Sequence, residues 1–170
     1  MWSFRTGGFR RVALFILALA AGLQAGCGFH LRGDVHYPAA MAVTWIEAED
    51  RYTPFYRQLK TALERGGVRV AANPAEAGSV IRILHDETGQ RVSSVSVRNT
   101  PVEYTVYYVL RYAVDMGGRE VVPAQGLSLS RAYNYDETQV LGKRAEGTEL
   151  RDALAGDMVG TVTRRLSLLK

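Results

Sequence analysis

Between Val102 and Val114 the chain reads VEYTVYYVLRYAV, with Val102, Tyr104, Val106, Tyr108, Leu110, Tyr112 and Val114 at every second position. Side chains of a β-strand point alternately to opposite faces, so these residues lay one apolar stripe along a single side. Glu103, Thr105, Tyr107, Val109, Arg111, Ala113 and Asp115 make the more polar side. A strand of this kind must lie in a sheet with a covered face. Gly117-Gly118 then supplies a hairpin turn into a return strand from Glu120 to Tyr135, which Pro123 starts or interrupts.

Two segments are suited to cover that face. In TPFYRQLKTALERGG, Thr53 is an N-cap, Pro54 takes the first helical position, and Phe55, Leu59, Ala62 and Leu63 recur at helical spacing before Gly66-Gly67 ends the turn. Near the C-terminus Leu150, Leu154, Met158, Val162 and Leu166 step by four, with Thr148 and Glu149 at the expected N-terminus. Gly156 and Gly160 weaken this second helix and suggest close approach to a sheet or partner. Met41 to Ala48 reads as a strand, Val68 to Val70 as a short edge strand and Val80 to His85 as a further strand; from Gln90 to Tyr135 the chain is β-rich. The predicted fold is α+β: a two-layer sandwich of two helices on one face of an approximately four-stranded, largely antiparallel sheet, forming a single domain over residues 41–170.

The other end obeys different rules. Arg5, Arg10 and Arg11 stand without an acidic residue before an apolar or small run from Val12 to Leu23. That is the charge-then-apolar order of a secretory signal, and the run falls short of the roughly 20 residues that span a bilayer. Ala25 and Gly26 then precede the only cysteine, Cys27, and Gly28 follows. Small residues before a cysteine, directly after an apolar core, resemble the lipobox of bacterial lipoproteins, in which the thiol is diacylated and becomes the mature N-terminus. Gln24 stands where that box usually has leucine. The competing reading is conventional cleavage after Ala18-Leu19-Ala20, which leaves a free thiol in an oxidising compartment. On the lipobox reading residues 1–26 are a signal peptide, residues 27–40 a lipidated tether, and Gly28, in place of an aspartate, implies sorting to the outer membrane.

Loss of residues 1–26 takes three arginines from 21 Lys and Arg and no acid from 17, leaving a net charge of about +1. A broadly basic nucleic-acid binder is excluded, and any anion site must be a local cluster. His30, His36 and His85 have no metal-ligand spacing with one another or with Cys27, and no nucleophile elbow, P-loop or dinucleotide fingerprint occurs. No metal, cofactor or catalytic constellation is expected. Six of nine tyrosines, at 104, 107, 108, 112, 133 and 135, fall on the expected hairpin. They form either core and rim or, because tyrosine joins a large apolar body to a polar tip, a partner interface carried by Tyr104, Tyr108, Tyr112, Tyr133 and Tyr135. Arg98, Arg131, Lys143 and Arg144 lie at or beyond strand ends, as solvated charges or as a phosphate grip.

CGFHLRG (27–33), the alternating strand, SRAYNYDETQVLGK (130–143) and ELRDALAGDMVGTVTRRL (149–166) together resemble the LptE family of outer-membrane lipoproteins. The resemblance implies a fold of two helices on a four-stranded sheet, a partner in the β-barrel LptD, which such proteins plug, and a role in placing lipopolysaccharide on the cell surface. By position it makes Arg98 and Lys143 lipopolysaccharide-binding residues, with Arg131 a lesser candidate. The alternative is a surface-anchored binding lipoprotein for cell-wall polymer or small anions, with an anchored hydrolase a distant third.

Overall fold

The long alternating segment is the central strand of the sheet's antiparallel half. A computed structural model of the chain describes residues 36–169, so Cys27, the expected signal peptide and the first part of the expected tether lie outside the described residues. In chain order the elements are β1 (Val43–Glu47), α1 (Pro54–Arg65), β2 (Arg69–Val70), β3 (Ser79–Val95), β4 (Pro101–Met116), β5 (Arg119–Asn134) and α2 (Val140–Ser167). The sheet runs β2-β1-β3-β4-β5. β1 pairs in parallel with both β2 and β3, whereas β3–β4 and β4–β5 are antiparallel. The sheet is therefore five-stranded and mixed, where four largely antiparallel strands were expected. The extra strand is the two-residue edge, and the parallel pairs arise because α1 carries the chain back to the end of the sheet at which β1 began.

The apolar stripe of β4 is covered as its pattern requires. Val106, Tyr108, Leu110, Tyr112 and Val114 are buried with Phe55, Leu59 and Leu63 of α1 and Leu154, Met158, Val162 and Leu166 of α2. Thr105, Tyr107, Val109 and Arg111, on the opposite side, are not buried.

α1 begins as read: Thr53 Oγ1 accepts from Tyr56 N at 3.2 Å, Pro54 is the first residue, and Gly67 past its end has φ 81°. Its start is also tied to the sheet. Asp86 accepts from Thr53 Oγ1 at 2.6 Å and from the Tyr108 hydroxyl at 2.7 Å, and that hydroxyl accepts from Phe55 N at 3.2 Å.

β3 is much longer than Val80 to His85 because a bulge interrupts its alternation. Ile83 pairs with Tyr112 but His85 with Arg111, leaving Leu84 outside the register and 46% exposed. The bulge inverts parity: Ile81 and Ile83 point into the core before it, whereas Asp86 and Gln90 point to the helix side after it. β5 runs past Pro123, where its pairing with β4 slips between Val122 and Gln125. Proline is tolerated there because the strand is an edge.

α2 starts at Val140, well before Thr148. Asp136 makes the helix entrance: its Oδ1 accepts from Thr138 N at 2.9 Å and from Thr138 Oγ1 at 2.7 Å, and these bonds hold its carboxyl below the usual range. Thr148 is an interior residue whose hydroxyl donates to Arg144 O at 3.1 Å. Its cap-forming chemistry is satisfied within the helix, as Ser and Thr commonly do.

Candidate functional site: a basic, tyrosine-walled cleft

The early start of α2 places about two further turns of helix, carrying Lys143 and Arg144, over the far half of the hairpin. Between them lies a cleft of about 450 Å³. Gln90 of β3, Tyr104 of β4, and Tyr133 and Tyr135 at the end of β5 form the sheet side; Lys143, Arg144, Thr148 and Arg151 descend from α2. Residues 144, 148 and 151 share one helix face by their spacing of four and three.

The tyrosines form one rigid wall. Tyr104 stacks on Tyr133 with ring centroids 6.0 Å apart and meets Tyr135 edge-on at 5.0 Å. Burial raises the Tyr133 phenol above its ordinary range. Gln90 Oε1 accepts from Arg151 Nη2 at 3.0 Å and from the Tyr133 hydroxyl at 3.5 Å, holding both in place. Lys143 Nζ pairs with Glu146 at 2.8 Å. Arg144 is exposed and makes no side-chain bond to another described residue. Three cations and a row of hydroxyls around a concave surface, with no carboxylate in the lining, are suited to an anion bearing polar groups.

This arrangement sorts the residues expected from the sequence. Lys143, Tyr104, Tyr133 and Tyr135 come together in the cleft. Tyr108 and Tyr112 do not present a partner surface: they are 0% and 1% exposed beneath the helices, because they share the β4 face that both helices cover. Arg131 is engaged within the chain, its Nη2 2.7 Å from Asp157 of α2. It pairs across the sheet with inward-facing Val106, so it lies on the helix side of β5, outside the cleft. Arg98 sits at the tip of the β3–β4 hairpin, in a turn closed by Ser96 N donating to Thr100 O at 2.8 Å, and is exposed outside the cleft. It shares the cleft's end of the molecule, since Tyr135 N donates to Val102 O at 2.9 Å. Arg151 and Gln90 were missed. The signal for Arg151 was its helical spacing from Arg144, hidden by starting the helix at Thr148; Gln90 reaches the cleft only through the bulge. Among the described residues no group of His, Cys, Asp or Glu is placed to hold a metal ion.

Fold and cleft define a small α+β domain with a basic, tyrosine-walled hollow at one end. Residues 42–166 match the LptE family, described as lipopolysaccharide-assembly, and the chain belongs to that family. The family is one of assembly proteins, and the chain is not an enzyme. The LPS-assembly lipoprotein LptE of Yersinia enterocolitica is 25% identical over 92% of this chain and 75% of its own length; that of Pectobacterium atrosepticum is 25% identical over 92% and 85%. Among solved structures, lipoprotein B from Nitrosomonas europaea superposes with a TM-score of 0.68 at 22% identity, covering 82% of this chain and 90% of that one. A minor lipoprotein from Acinetobacter baumannii gives 0.60 at 21%, covering 76% and 93%. These structures share the fold.

Proposed function

We propose that the chain is an outer-membrane lipoprotein, anchored through Cys27 after removal of residues 1–26, that plugs and stabilises an LptD-type β-barrel and assists lipopolysaccharide assembly at the cell surface. The observation that carries the ligand half of this reading is the tyrosine-walled cleft with Lys143, Arg144 and Arg151 on its rim. Lipid A presents phosphates on a sugar, which calls for cations beside hydroxyl and amide groups. Arginine can engage a phosphate with two parallel bonds, lysine as a point charge. A mature charge near +1 gives little long-range steering, so the grip is local. Arg98 stands near enough to the same end to supply a further, peripheral charge.

With Tyr108 and Tyr112 in the core, the uncovered side of the sheet is one surface open to a barrel. There Tyr107 lies over Gly89, its hydroxyl donating to Glu87 at 3.0 Å, and Ser128 and Ser130 of β5 sit in register with Val109 and Tyr107. This half of the reading draws on the family alone. Affinity purification of the tagged full-length chain from detergent-extracted outer membranes tests it: a large β-barrel is the expected companion, and its consistent absence after crosslinking favours an independent binding lipoprotein. For the ligand half, Lys143→Asp with Arg144→Asp is expected to weaken lipopolysaccharide binding more than about tenfold, with a smaller difference at high salt. Equal affinities for variant and wild type remove the cleft as the site.

A further inference from the structure

Ten large apolar residues are well exposed among the described residues, and five of them gather at the cleft's end of the molecule: Val92, Val95, Val97, Val102 and Leu141. Single exposed apolar side chains need no explanation, but a cluster at one tip does. Val97, at the turn, is fully exposed, and Val95 is 52% exposed. Over residues 91–102 the only charges are Arg91 and Arg98, with no acid among them. Glu103 follows directly and pairs with Ser94 on the side of the sheet away from Tyr104, as Arg91 does with Thr105, so the cleft side of the tip is apolar with Arg98 at its turn, complementary to a molecule with hydrocarbon beside negative charge.

Its position is equally specific. Val92 pairs across the ladder with Tyr104, and Val102 lies two residues from Tyr104 on the same strand. Directly paired residues, and residues two apart, share a face, so both valines flank Tyr104 on the side that lines the cleft. The polar hollow therefore opens outward onto an apolar rim of Val92 and Val102, whereas Val95 pairs with Pro101 and faces the other side of the sheet. We propose that this hairpin tip holds acyl chains of the same amphiphile whose phosphates occupy the cleft, making one bipartite site for an acylated, phosphorylated sugar. The inference rests on the reading of the cleft as a phosphate site and adds where the hydrocarbon goes.

The test uses the immobilised full-length chain and two ligands: intact lipopolysaccharide, and the same material fully deacylated but still phosphorylated. Val92→Ser with Val102→Ser removes apolar surface from the rim without a charge change, Val92→Ser alone serves as a second variant, and Val95→Ser, on the other side of the sheet, is the control expected to bind like wild type. The expected result is about a tenfold loss of affinity for the intact lipid by the double variant, a smaller loss by the single one, and unchanged binding of the deacylated sugar. Unchanged affinity for the intact lipid overturns the proposal, as does an equal loss toward both ligands. So does an equal loss toward phosphatidylglycerol vesicles, which makes the tip a general membrane contact. Failure of the cleft itself shows separately, as wild type that does not bind the deacylated sugar or as Lys143→Asp with Arg144→Asp binding it normally.

Discussion

Asp86 commits both carboxylate oxygens to joining layers, one to the α1 cap residue Thr53 and one to Tyr108. Replacing Tyr108 with phenylalanine keeps the ring but leaves Asp86 Oδ1 and Phe55 N without this partner, which should cost roughly 1–3 kcal/mol in urea denaturation. The pH dependence has a definite sign. Burial, followed by the bond to Asp86, holds the Tyr108 phenol well above its ordinary 10.0. A folded state that binds this proton more tightly than the unfolded chain is fully favoured below pH about 10 and loses that advantage as pH climbs further. The stability of Tyr108→Phe should accordingly fall less steeply than wild type above that pH; parallel curves refute the assignment. In the cleft, Glu146 competes with any anion for Lys143. Glu146→Gln should raise affinity for the deacylated, phosphorylated sugar by about two- to fivefold, in line with a part-exposed ion pair, and a titration beside wild type measures it.

At the scale of elements, the two glycines of α2 separate. A Cβ at Gly156 would stand 3.1 Å from Gln58 Oε1 of α1, so that glycine allows the helices to approach, whereas a Cβ at Gly160 meets nothing within 4 Å. Gly160→Ala should stabilise the protein by up to about 1 kcal/mol through helix propensity alone, visible as a higher thermal midpoint. Gly78, just before β3, differs again: an added Cβ would lie 2.8 Å from the backbone oxygen of Ala40, while Gly78 N donates to Val43 O at 2.9 Å. Backbone cannot swing aside as a side chain can. Gly78→Ala is expected to destabilise by roughly 1–3 kcal/mol, and a midpoint equal to wild type would refute the close packing at that crossing.

Across the whole molecule, chemistry is concentrated at one end. The cleft, the exposed valines and Arg98 lie where the hairpin extends toward the start of α2, while the helices and the parallel half of the sheet supply rigid support. The tether precedes β1, away in sequence from all of them, so anchoring and binding should be separable. Cys27→Ser is expected to release the protein from the membrane fraction while the soluble form keeps its fold and cleft, since stable attachment takes more than one acyl chain. Mass spectrometry of the mature protein checks the premise: an unmodified N-terminus at Ala21 would refute lipidation.

The alternation from Val102 to Val114 was sufficient by itself to identify a strand with one covered face, because period two is a local property of an extended backbone. The same holds for α1, where cap, proline, apolar spacing and terminal glycines lie within one short segment. The expected leader and lipobox are also linear patterns, on residues outside those described. Three things were decided only by the tertiary structure. The full length of β3 was hidden because one bulge at Leu84 inverts its parity, so no single period runs through it. The parallel placement of β1 depends on pairing between segments far apart in sequence, which no local pattern records. The roles of the tyrosines and cations depend on which face each residue occupies after packing: the same alternation that identified the strand placed Tyr108 and Tyr112 under the helices, while the hairpin's length carried Tyr104 beyond full cover into the cleft. Arg131 was drawn to Asp157, and Arg144 and Arg151 took the positions beside Lys143, because a helix beginning at Val140 turns those side chains toward the sheet.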